Sequence, residues 1–224
     1  MNSNSQQQSS KKHSQAIATG ASAMGLQLTE AQLGQLTAYL TLLNKWNKAY
    51  NLTAVRDIQQ MIPRHLLDSL SVVPHIVGNH ILDVGTGPGL PGIPLAICFP
   101  DKQLTLLDSN GKKTRFLVQA KTALQLDNIQ VVQKRVEQFQ VDKPFDIIIS
   151  RAFSALKDMV KWTQHLLAPE GYLFAMKGVH PVEEIQQAEA LSAKLVKSIP
   201  LNVANCEGER HLVILQNNNA NIAS

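Results

Sequence analysis

Hydrophobic positions along the chain change their spacing near residue 80. From residue 29, apolar side chains recur every three or four positions, which is typical of one buried helix face. This stripe consists of Leu33, Leu36, Leu40, Leu43, Trp46 and Tyr50. Thr29 and Gln32 form a capping-box pair, which predicts that the helix begins there. A second, shorter helix is expected after Pro63.

After residue 80, short apolar runs alternate with helical segments. Buried strands are predicted at residues 80–84, 104–107, 129–132, 145–149 and 172–176, and helices at 93–99, 112–124 and 156–167. This alternation is typical of an α/β fold with a parallel sheet covered on both faces. A final helix at 182–195 and a closing strand at 211–215 predict an antiparallel edge at the C-terminal end.

The pattern divides the chain into four parts. Residues 1–14 are mostly Ser, Gln and Asn, which predicts a disordered tail. Residues 15–79 form an N-terminal helical cap, residues 80–216 form the α/β domain, and residues 217–224 form a second disordered tail. A chain of 224 residues has room for one such domain with a helical extension.

Composition narrows the class of protein. The chain is 44% hydrophobic and 17% charged, as expected of a folded protein. It contains neither a membrane-spanning apolar stretch nor an N-terminal apolar segment typical of a signal peptide, so we expect a cytoplasmic protein. Cys98 and Cys206 have no metal-ligand spacing, so we expect free thiols and no metal site. The net charge of +4 is compatible with a polyanionic partner but is weak support for one.

The most informative segment is a glycine-rich loop between the first strand and the next helix. It reads Asp83-Val84-Gly85-Thr86-Gly87-Pro88-Gly89-Leu90-Pro91-Gly92. Glycines allow tight turns and a close approach of a cofactor to the main chain. Gly87, Gly89 and Gly92 have the spacing of dinucleotide-binding loops, and Asp108 follows at the offset of an acid that binds ribose hydroxyls.

These features fit two cofactors, NAD and S-adenosylmethionine, because both carry an adenosine that Asp108 could bind. Asp83 distinguishes them. A pyrophosphate beside this carboxylate would face a like charge, which is unfavourable at low dielectric. S-adenosylmethionine instead brings an ammonium and a sulfonium, so Asp83 favours S-adenosylmethionine as the cofactor.

Beyond the loop, several segments resemble one known family, the bacterial small-subunit ribosomal RNA methyltransferase G family, formerly called glucose-inhibited division protein B. The resemblance covers about residues 33–215 in the family's order. The matching segments are the glycine loop above, Trp46-Asn47-Lys48-Ala49-Tyr50-Asn51-Leu52-Thr53, Arg64-His65-Leu66-Leu67-Asp68-Ser69, Leu107-Asp108-Ser109, Ser150-Arg151-Ala152-Phe153 and Gly208-Glu209-Arg210-His211. It implies a Rossmann-like methyltransferase fold, with a mostly parallel seven-stranded sheet, and methylation of guanine N7 in 16S ribosomal RNA near the decoding centre.

The resemblance also implies which residues meet the cofactor. It adds Gly85, Leu90, Val136, Glu137 and Arg151 to the residues suggested by the loop itself, which are Asp83, Gly87, Gly89, Asp108 and Ser109. In this interpretation the N–H of Gly85 binds the methionine carboxylate, Leu90 gives apolar contact, and Val136 forms a wall against the adenine. Arg151 either orients the base or binds the cofactor carboxylate, and a surface ion pair is its alternative role.

No catalytic side chain is expected. The strand that ends at Arg151 lacks the Asn/Asp-Pro-Pro-aromatic tetrad with which enzymes that methylate exocyclic amines hold their substrate. Guanine N7 carries a lone pair and no proton, so transfer needs alignment rather than a general base. We expect His65 to be a hydrogen-bonded structural residue.

The proposed partner is 16S ribosomal RNA or the small ribosomal subunit, with no membrane and no metal. Basic residues support an RNA partner, both on the cap and on the helix after Asp108; they are Lys45, Lys48, Arg56, Arg64, Lys112, Lys113, Arg115 and Lys121. Trp46, Tyr50 and Phe153 could stack on a base, although burial is expected for Trp46 and Tyr50. The alternatives are a small-molecule methyltransferase with the same cofactor and a nucleotide-binding module without enzyme activity.

Overall fold

Seven strands form one sheet in the computed structural model, which describes residues 3–151, 153, 155–191 and 193–217. The strands are β1 (His80–Val84), β2 (Gln103–Leu107), β3 (Ile129–Val132), β4 (Phe145–Arg151), β5 (Leu167–Lys177), β6 (Ala193–Pro200) and β7 (His211–Asn217). The helices of this part are α5 (Gly92–Cys98), α6 (Gly111–Leu124), α7 (Leu156–Thr163) and α8 (Val182–Glu189). The α/β class predicted from the sequence is confirmed.

The strand order is β3-β2-β1-β4-β5-β7-β6. The pairings from β3 through β5 are parallel, whereas β7 is antiparallel to both of its neighbours. The sheet is therefore mixed, with its parallel part around β1. The carboxyl ends of β1, β2 and β4 lie at one edge, which is where parallel sheets bind ligands.

The C-terminal end differs from the prediction in two ways. The antiparallel strand β7 lies inside the sheet, so the edge strand is β6. Residues 193–195, predicted as the end of a helix, belong to β6, and α8 stops at Glu189. Pairing with β7 decides this conformation. Lys194 and Lys197 suit an exposed edge strand, but they interrupt the alternation of apolar residues by which a strand is predicted from sequence.

Alternate residues of the strands enter two separate hydrophobic clusters, one on each face of the sheet. Ile81, Ile147 and Ile149 pack with the cap, α5 and α6. Leu82 and Ile148 pack with α7 and α8 on the other face. Burial on both faces explains why these strands are continuous apolar runs in the sequence.

The cap contains α1 (Ser3–Ala23), α2 (Glu30–Tyr50), α3 (Ile58–Met61), a π-helical turn (Ile62–Leu67) and α4 (Asp68–Leu70). The predicted capping box at Thr29 and Gln32 is present. The tail predicted at residues 1–14 is wrong from Ser3 onward, since α1 begins there. Burial of Ile17 and Ala21 anchors the C-terminal half of α1, and the polar residues before them extend the same helix.

The structure bears on the predicted C-terminal tail but not on the predicted division between the cap and the α/β domain. Residues 1, 2 and 218–224 lie outside the described residues, and Asn217 ends β7. The division between cap and α/β domain at residue 80 stays a prediction, since buried residues of both parts share one cluster.

Candidate active site

The glycine loop joins β1 to α5 through residues with positive φ. Gly85, Gly87 and Gly89 have φ values of +65°, +63° and +96°. A side chain is strained in this region, so glycine is favoured. A Cβ on Gly85 would have no atom within 4 Å, whereas one on Gly89 would lie 2.5 Å from Ile93 Cδ1. Gly85 therefore faces open space, and Gly89 allows close packing beneath the loop.

Backbone hydrogen bonds fix the loop and correct one expectation. The N–H of Gly85 donates to the carbonyl of Leu107 at 2.8 Å, and the N–H of Thr86 reaches the same oxygen at 3.2 Å. The Gly85 N–H thus already has a partner within the sheet, so it does not have the role expected of it with the methionine carboxylate. What Gly85 offers a ligand is a surface without a side chain.

Asp83 closes the loop from below. It is fully buried, and its Oδ2 accepts hydrogen bonds from Thr86 Oγ1 at 2.6 Å and from the N–H of Gly92 at 2.7 Å. Burial raises the pKa of Asp83 to about 7, against the lowering effect of these two donors and of Arg151. The carboxyl is therefore only partly charged near neutral pH. The argument that a charged Asp83 disfavours a pyrophosphate therefore holds in part. Direct contact of Asp83 with the cofactor stays a prediction.

Asp108 follows β2 and holds the loop from the side. Its Oδ2 accepts the N–H of Gly87 at 2.9 Å, and its Oδ1 accepts the N–H of Asn110 at 2.8 Å. Lys113 Nζ lies 3.5 Å from Oδ2. Each carboxylate oxygen has two lone pairs, so both can accept a further hydrogen bond. The pairing of Gly87 with Asp108 explains the spacing seen in the sequence.

A cavity of about 240 Å³ opens beside this loop. It brings together five predicted residues, which are Gly85, Asp108, Ser109, Val136 and Glu137. Its other lining residues are Val84, Leu107, Lys134, Arg135, Phe153 and Trp162. The sequence interpretation gave no role to Lys134, Arg135 or Trp162, although the two basic residues directly precede Val136. A carboxylate, a bare glycine surface and apolar walls in one cavity suit an adenosine.

The remaining predicted residues lie outside the cavity lining. Gly87 and Gly89 are buried in the loop. Leu90 is only 2% exposed and packs in the cluster under the sheet, so its expected apolar contact is with the core. Arg151 forms an ion pair with the buried Asp68 and not the surface ion pair considered as its alternative, and its contact with a cofactor stays a prediction.

The ion pair of Arg151 belongs to a network that joins three parts of the fold. Arg151 Nη1 lies 3.0 Å from Asp68 Oδ2 and donates to the carbonyl of Arg64 at 3.0 Å. Arg210 Nε lies 3.2 Å from the other oxygen of Asp68, whose side chain is 6% exposed. Arg151, at the end of β4, and Arg210, in the loop before β7, thus meet one buried carboxylate of the cap. The sequence placed Asp68 and Arg210 in family motifs but did not connect them.

A buried tyrosine connects the cap to the glycine loop. Tyr39 donates from its hydroxyl to the carbonyl of Pro88 at 2.8 Å. Trp46 packs against Phe116 with 5.6 Å between ring centroids, and Tyr50 beside it is 48% exposed. The burial expected of Tyr50 is therefore wrong, because it lies at the exposed end of α2.

His65 is poorly suited to act as a general base near neutral pH. It is 6% exposed and lies between Thr53 Oγ1, at 2.8 Å from Nε2, and the carbonyl of Arg64, at 2.9 Å from Nδ1. Burial and the positive charges of Arg151 and Arg64 lower the pKa of His65 to about 4, despite the Arg64 carbonyl. The expectation of a hydrogen-bonded structural histidine is confirmed.

Other cavities and side-chain groups of the described chain are less suited to bind an adenosine. A groove of about 540 Å³ between α1, α2 and α6 is larger, but its lining is mostly apolar and includes no carboxylate. Among the described residues, no three His, Cys, Asp or Glu side chains are arranged to bind a metal, and no helix has the length and apolar character of a membrane span.

Solved structures share this fold at low sequence identity. A SAM-dependent methyltransferase from Aquifex aeolicus aligns with a TM-score of 0.56 and 16% identity, covering 74% of this chain and 96% of that one. The N-methyltransferase NodS from Bradyrhizobium japonicum, in complex with S-adenosyl-L-homocysteine, aligns with a TM-score of 0.54 and 16% identity, covering 80% and 97%. These similarities establish a methyltransferase fold.

Sequence relatives are much closer. A protein of Ectopseudomonas mendocina named ribosomal RNA small subunit methyltransferase G is 54% identical over 208 residues, which is 92% of this chain and 97% of that protein. One from Pseudomonas aeruginosa with the same name is 55% identical over 205 residues, covering 91% and 95%. The profile of the family described as rRNA small subunit methyltransferase G matches residues 32–213, and the chain belongs to this family.

Proposed function

We propose that this protein transfers the methyl group of S-adenosylmethionine to N7 of one guanine in 16S ribosomal RNA. The observation that carries the proposal is the cavity in which Gly85, Asp108 and Val136 converge in a chain of this family. Bound there, S-adenosylmethionine supplies a methyl carbon that accepts the N7 lone pair while the carbon–sulfur bond breaks toward sulfur.

The residues of the cavity fit this cofactor. The free lone pairs of Asp108 can accept both ribose hydroxyls, because each of its oxygens currently takes one N–H. Val136 and Phe153 offer apolar surface to a purine. Gly85 allows close approach because nothing occupies the space where its side chain would be. Asp83, beneath the loop, gains a favourable interaction when a cation binds nearby.

Methyl transfer to N7 requires no proton acceptor from the protein. His65 is neutral at neutral pH and both its nitrogens have partners. The enzyme's contribution is to hold the base in line with the methyl group and to exclude water, and alignment of this kind can account for about 7–11 kcal/mol of a barrier. Arg151 is suited to positioning, since Asp68 and the Arg64 carbonyl fix its guanidinium at the end of β4.

The partner we propose is 16S ribosomal RNA or the assembling small subunit, and the place of action is the cytoplasm, where this RNA occurs. Exposed cations surround the cofactor cavity, with Lys134 and Arg135 on its rim and Lys112 and Arg115 on the first turns of α6. A rim of this charge can neutralise backbone phosphates.

The proposal is tested by mapping methylation in 16S RNA from cells with and without this protein. We expect one guanine to lose a methyl group in the deleted strain and to regain it with the wild-type gene but not with an Asp108→Asn gene. N7 methylation predicts cleavage at that nucleotide after borohydride and aniline treatment. A methyl group on an exocyclic amine, or unchanged ribosomal RNA, contradicts the proposal, and unchanged RNA points to a small-molecule methyltransferase.

A further inference from the structure

A second, polar cavity of about 450 Å³ has a lining separate from that of the cofactor cavity. One wall comes from the cap, through Gln60 and Arg64, and the other comes from the loop before β7, through Asn205, Cys206, Glu207 and Arg210. Because β7 is antiparallel to β5, this loop lies at the carboxyl edge of the parallel strands. The second cavity is therefore at the edge of the sheet that binds ligands.

A short chain of contacts joins the two cavities. Ser150 donates from Oγ to the carbonyl of Val84 at 2.7 Å, and Val84 lines the cofactor cavity. The next residue, Arg151, donates to the carbonyl of Arg64, which lines the second cavity. The end of β4 thus contacts one lining residue of each cavity, Val84 through Ser150 and Arg64 through Arg151.

The charged groups of the second cavity differ in how firmly they are held. Arg210 is fixed by Asp68, by the carbonyl of Glu209 at 2.7 Å and by Cys206 Sγ at 3.4 Å. Within the described part of the chain, neither the guanidinium of Arg64 nor the carboxylate of Glu207 forms an ion pair. The cavity therefore presents one uncommitted cation and one uncommitted anion.

We propose that the second cavity receives the target guanine and that Glu207 and Arg64 read its edge, an inference that rests on the proposed function. Guanine N1–H and N2–H₂ are two adjacent donors, which match the two oxygens of Glu207. Guanine O6 is an acceptor, which matches Arg64. This arrangement leaves N7 free of protein partners, as direct in-line attack on the methyl group requires. A backbone phosphate fits less well, because Glu207 would repel it.

The test compares wild-type and Glu207→Gln enzymes on two in vitro 16S transcripts, one made with guanosine and one with inosine, which lacks the N2 amine. Single-turnover methyl transfer is measured at saturating S-adenosylmethionine and RNA. We expect the wild type to prefer guanosine RNA by roughly 5- to 150-fold, the range for a bidentate base contact. The variant should lose a similar factor on guanosine RNA and discriminate little between the transcripts.

Matched controls separate recognition from folding. Glu209→Gln makes the same change two residues away, outside the cavity lining, and should behave as the wild type. Both variants should keep the wild-type Tm and the wild-type affinity for S-adenosylmethionine. Any misfolding of the inosine RNA lowers the rates of both enzymes alike. It therefore cancels when the guanosine-to-inosine rate ratio of the variant is compared with that of the wild type.

Three outcomes decide the proposal. Equal guanosine preference in Glu207→Gln and wild type overturns it, even when both enzymes are active. Tighter RNA binding by Glu207→Gln also overturns it, since removal of a repelling charge indicates a phosphate in the cavity. If the wild type methylates neither 16S transcripts nor small-subunit particles, the proposed function fails first, and this is distinguished from failure of the guanine site alone.

Discussion

Replacing Asp83 by Asn should stabilise the free protein, and the gain should grow with pH. Asn keeps the shape of the carboxyl and can accept the hydrogen bonds of Thr86 and Gly92 through its own oxygen. The other oxygen of Asp83 has no hydrogen-bond partner among the described residues, so an amide nitrogen there breaks no bond, and the cost of its unpartnered donors does not depend on pH. The variant differs from the wild type chiefly in that it cannot ionise.

The magnitude follows from the pKa of Asp83, which is about 7 in the folded chain against 3.8 for an unperturbed Asp. The folded state binds the proton more tightly, so its stability falls as pH rises from 3.8 to about 7 and is then constant. A tenfold change in proton affinity corresponds to about 1.4 kcal/mol. The cost of Asp83 is therefore about 2 kcal/mol at pH 5 and about 4 kcal/mol at pH 8.

Urea unfolding at intervals between pH 5 and pH 8.5 measures this effect. We expect the free energy of unfolding of Asp83→Asn to exceed that of the wild type by a margin that increases by about 2.5–3 kcal/mol over this range. Asp127→Asn, in an exposed turn, makes the same chemical change and should show no pH-dependent gain. A margin that is constant or shrinks as pH rises would refute the reasoning.

The same variant should bind S-adenosylmethionine more weakly. A cation that binds near the glycine loop favours the ionised form of Asp83, so part of the cost of burying this charge is recovered on binding. Calorimetry should show weaker binding by Asp83→Asn at pH 8, and wild-type affinity should fall as pH drops below about 7, which is the pKa of Asp83 in the free protein. Greater stability with weaker binding is the trade-off expected of a strained functional site.

Three further predictions concern the cofactor, the RNA and the chemical step. Asp108→Asn should raise the Kd for S-adenosylmethionine about tenfold or more in calorimetry, because a charge-assisted hydrogen bond contributes roughly 1.5–3 kcal/mol; an unchanged Kd with tight NAD binding would contradict the cofactor assignment. Replacing the exposed Lys112 and Arg115 by Gln should reduce the slope of log affinity for RNA against log salt by up to about 2, whereas an affinity independent of salt in the wild type would favour a small-molecule substrate. The rate of single-turnover methyl transfer at saturating substrates should be nearly constant between about pH 6 and pH 8.5, since N7 has no proton to lose and His65 stays neutral. Arg151→Ala should slow this step up to about a hundredfold through lost alignment. A steep rate loss that follows one titration near neutrality would contradict this mechanism.

Strong local patterns made much of the fold and the cofactor cavity predictable from the sequence. Buried parallel strands appear as apolar runs because both of their faces are covered, and so β1 and β4 were found near their observed bounds. The glycine loop needs positive φ at several positions, which only glycine adopts at low cost, and the acid after β2 completes the pattern. Gly85 and Asp108 line one cavity, together with Val136, which only the family resemblance suggested.

Local patterns failed where a distant partner decides the conformation or the charge. The strand β6 forms because β7 pairs with it, and α1 extends to Ser3 because packing farther along anchors it. Burial of Asp83 and a backbone partner of Gly85 on β2, neither visible in the motif, change what their polar groups can do.

The sequence by itself determined the class of fold, because apolar spacing is a local pattern, and its motifs indicated the family and predicted residues around the cofactor. Only the tertiary structure brought Arg151 and Arg210 to the buried carboxylate of Asp68, from segments more than fifty residues apart. It likewise placed Arg64 and Glu207 on opposite walls of one cavity. Such pairings arise when the sheet and the cap pack together, and no local pattern records them.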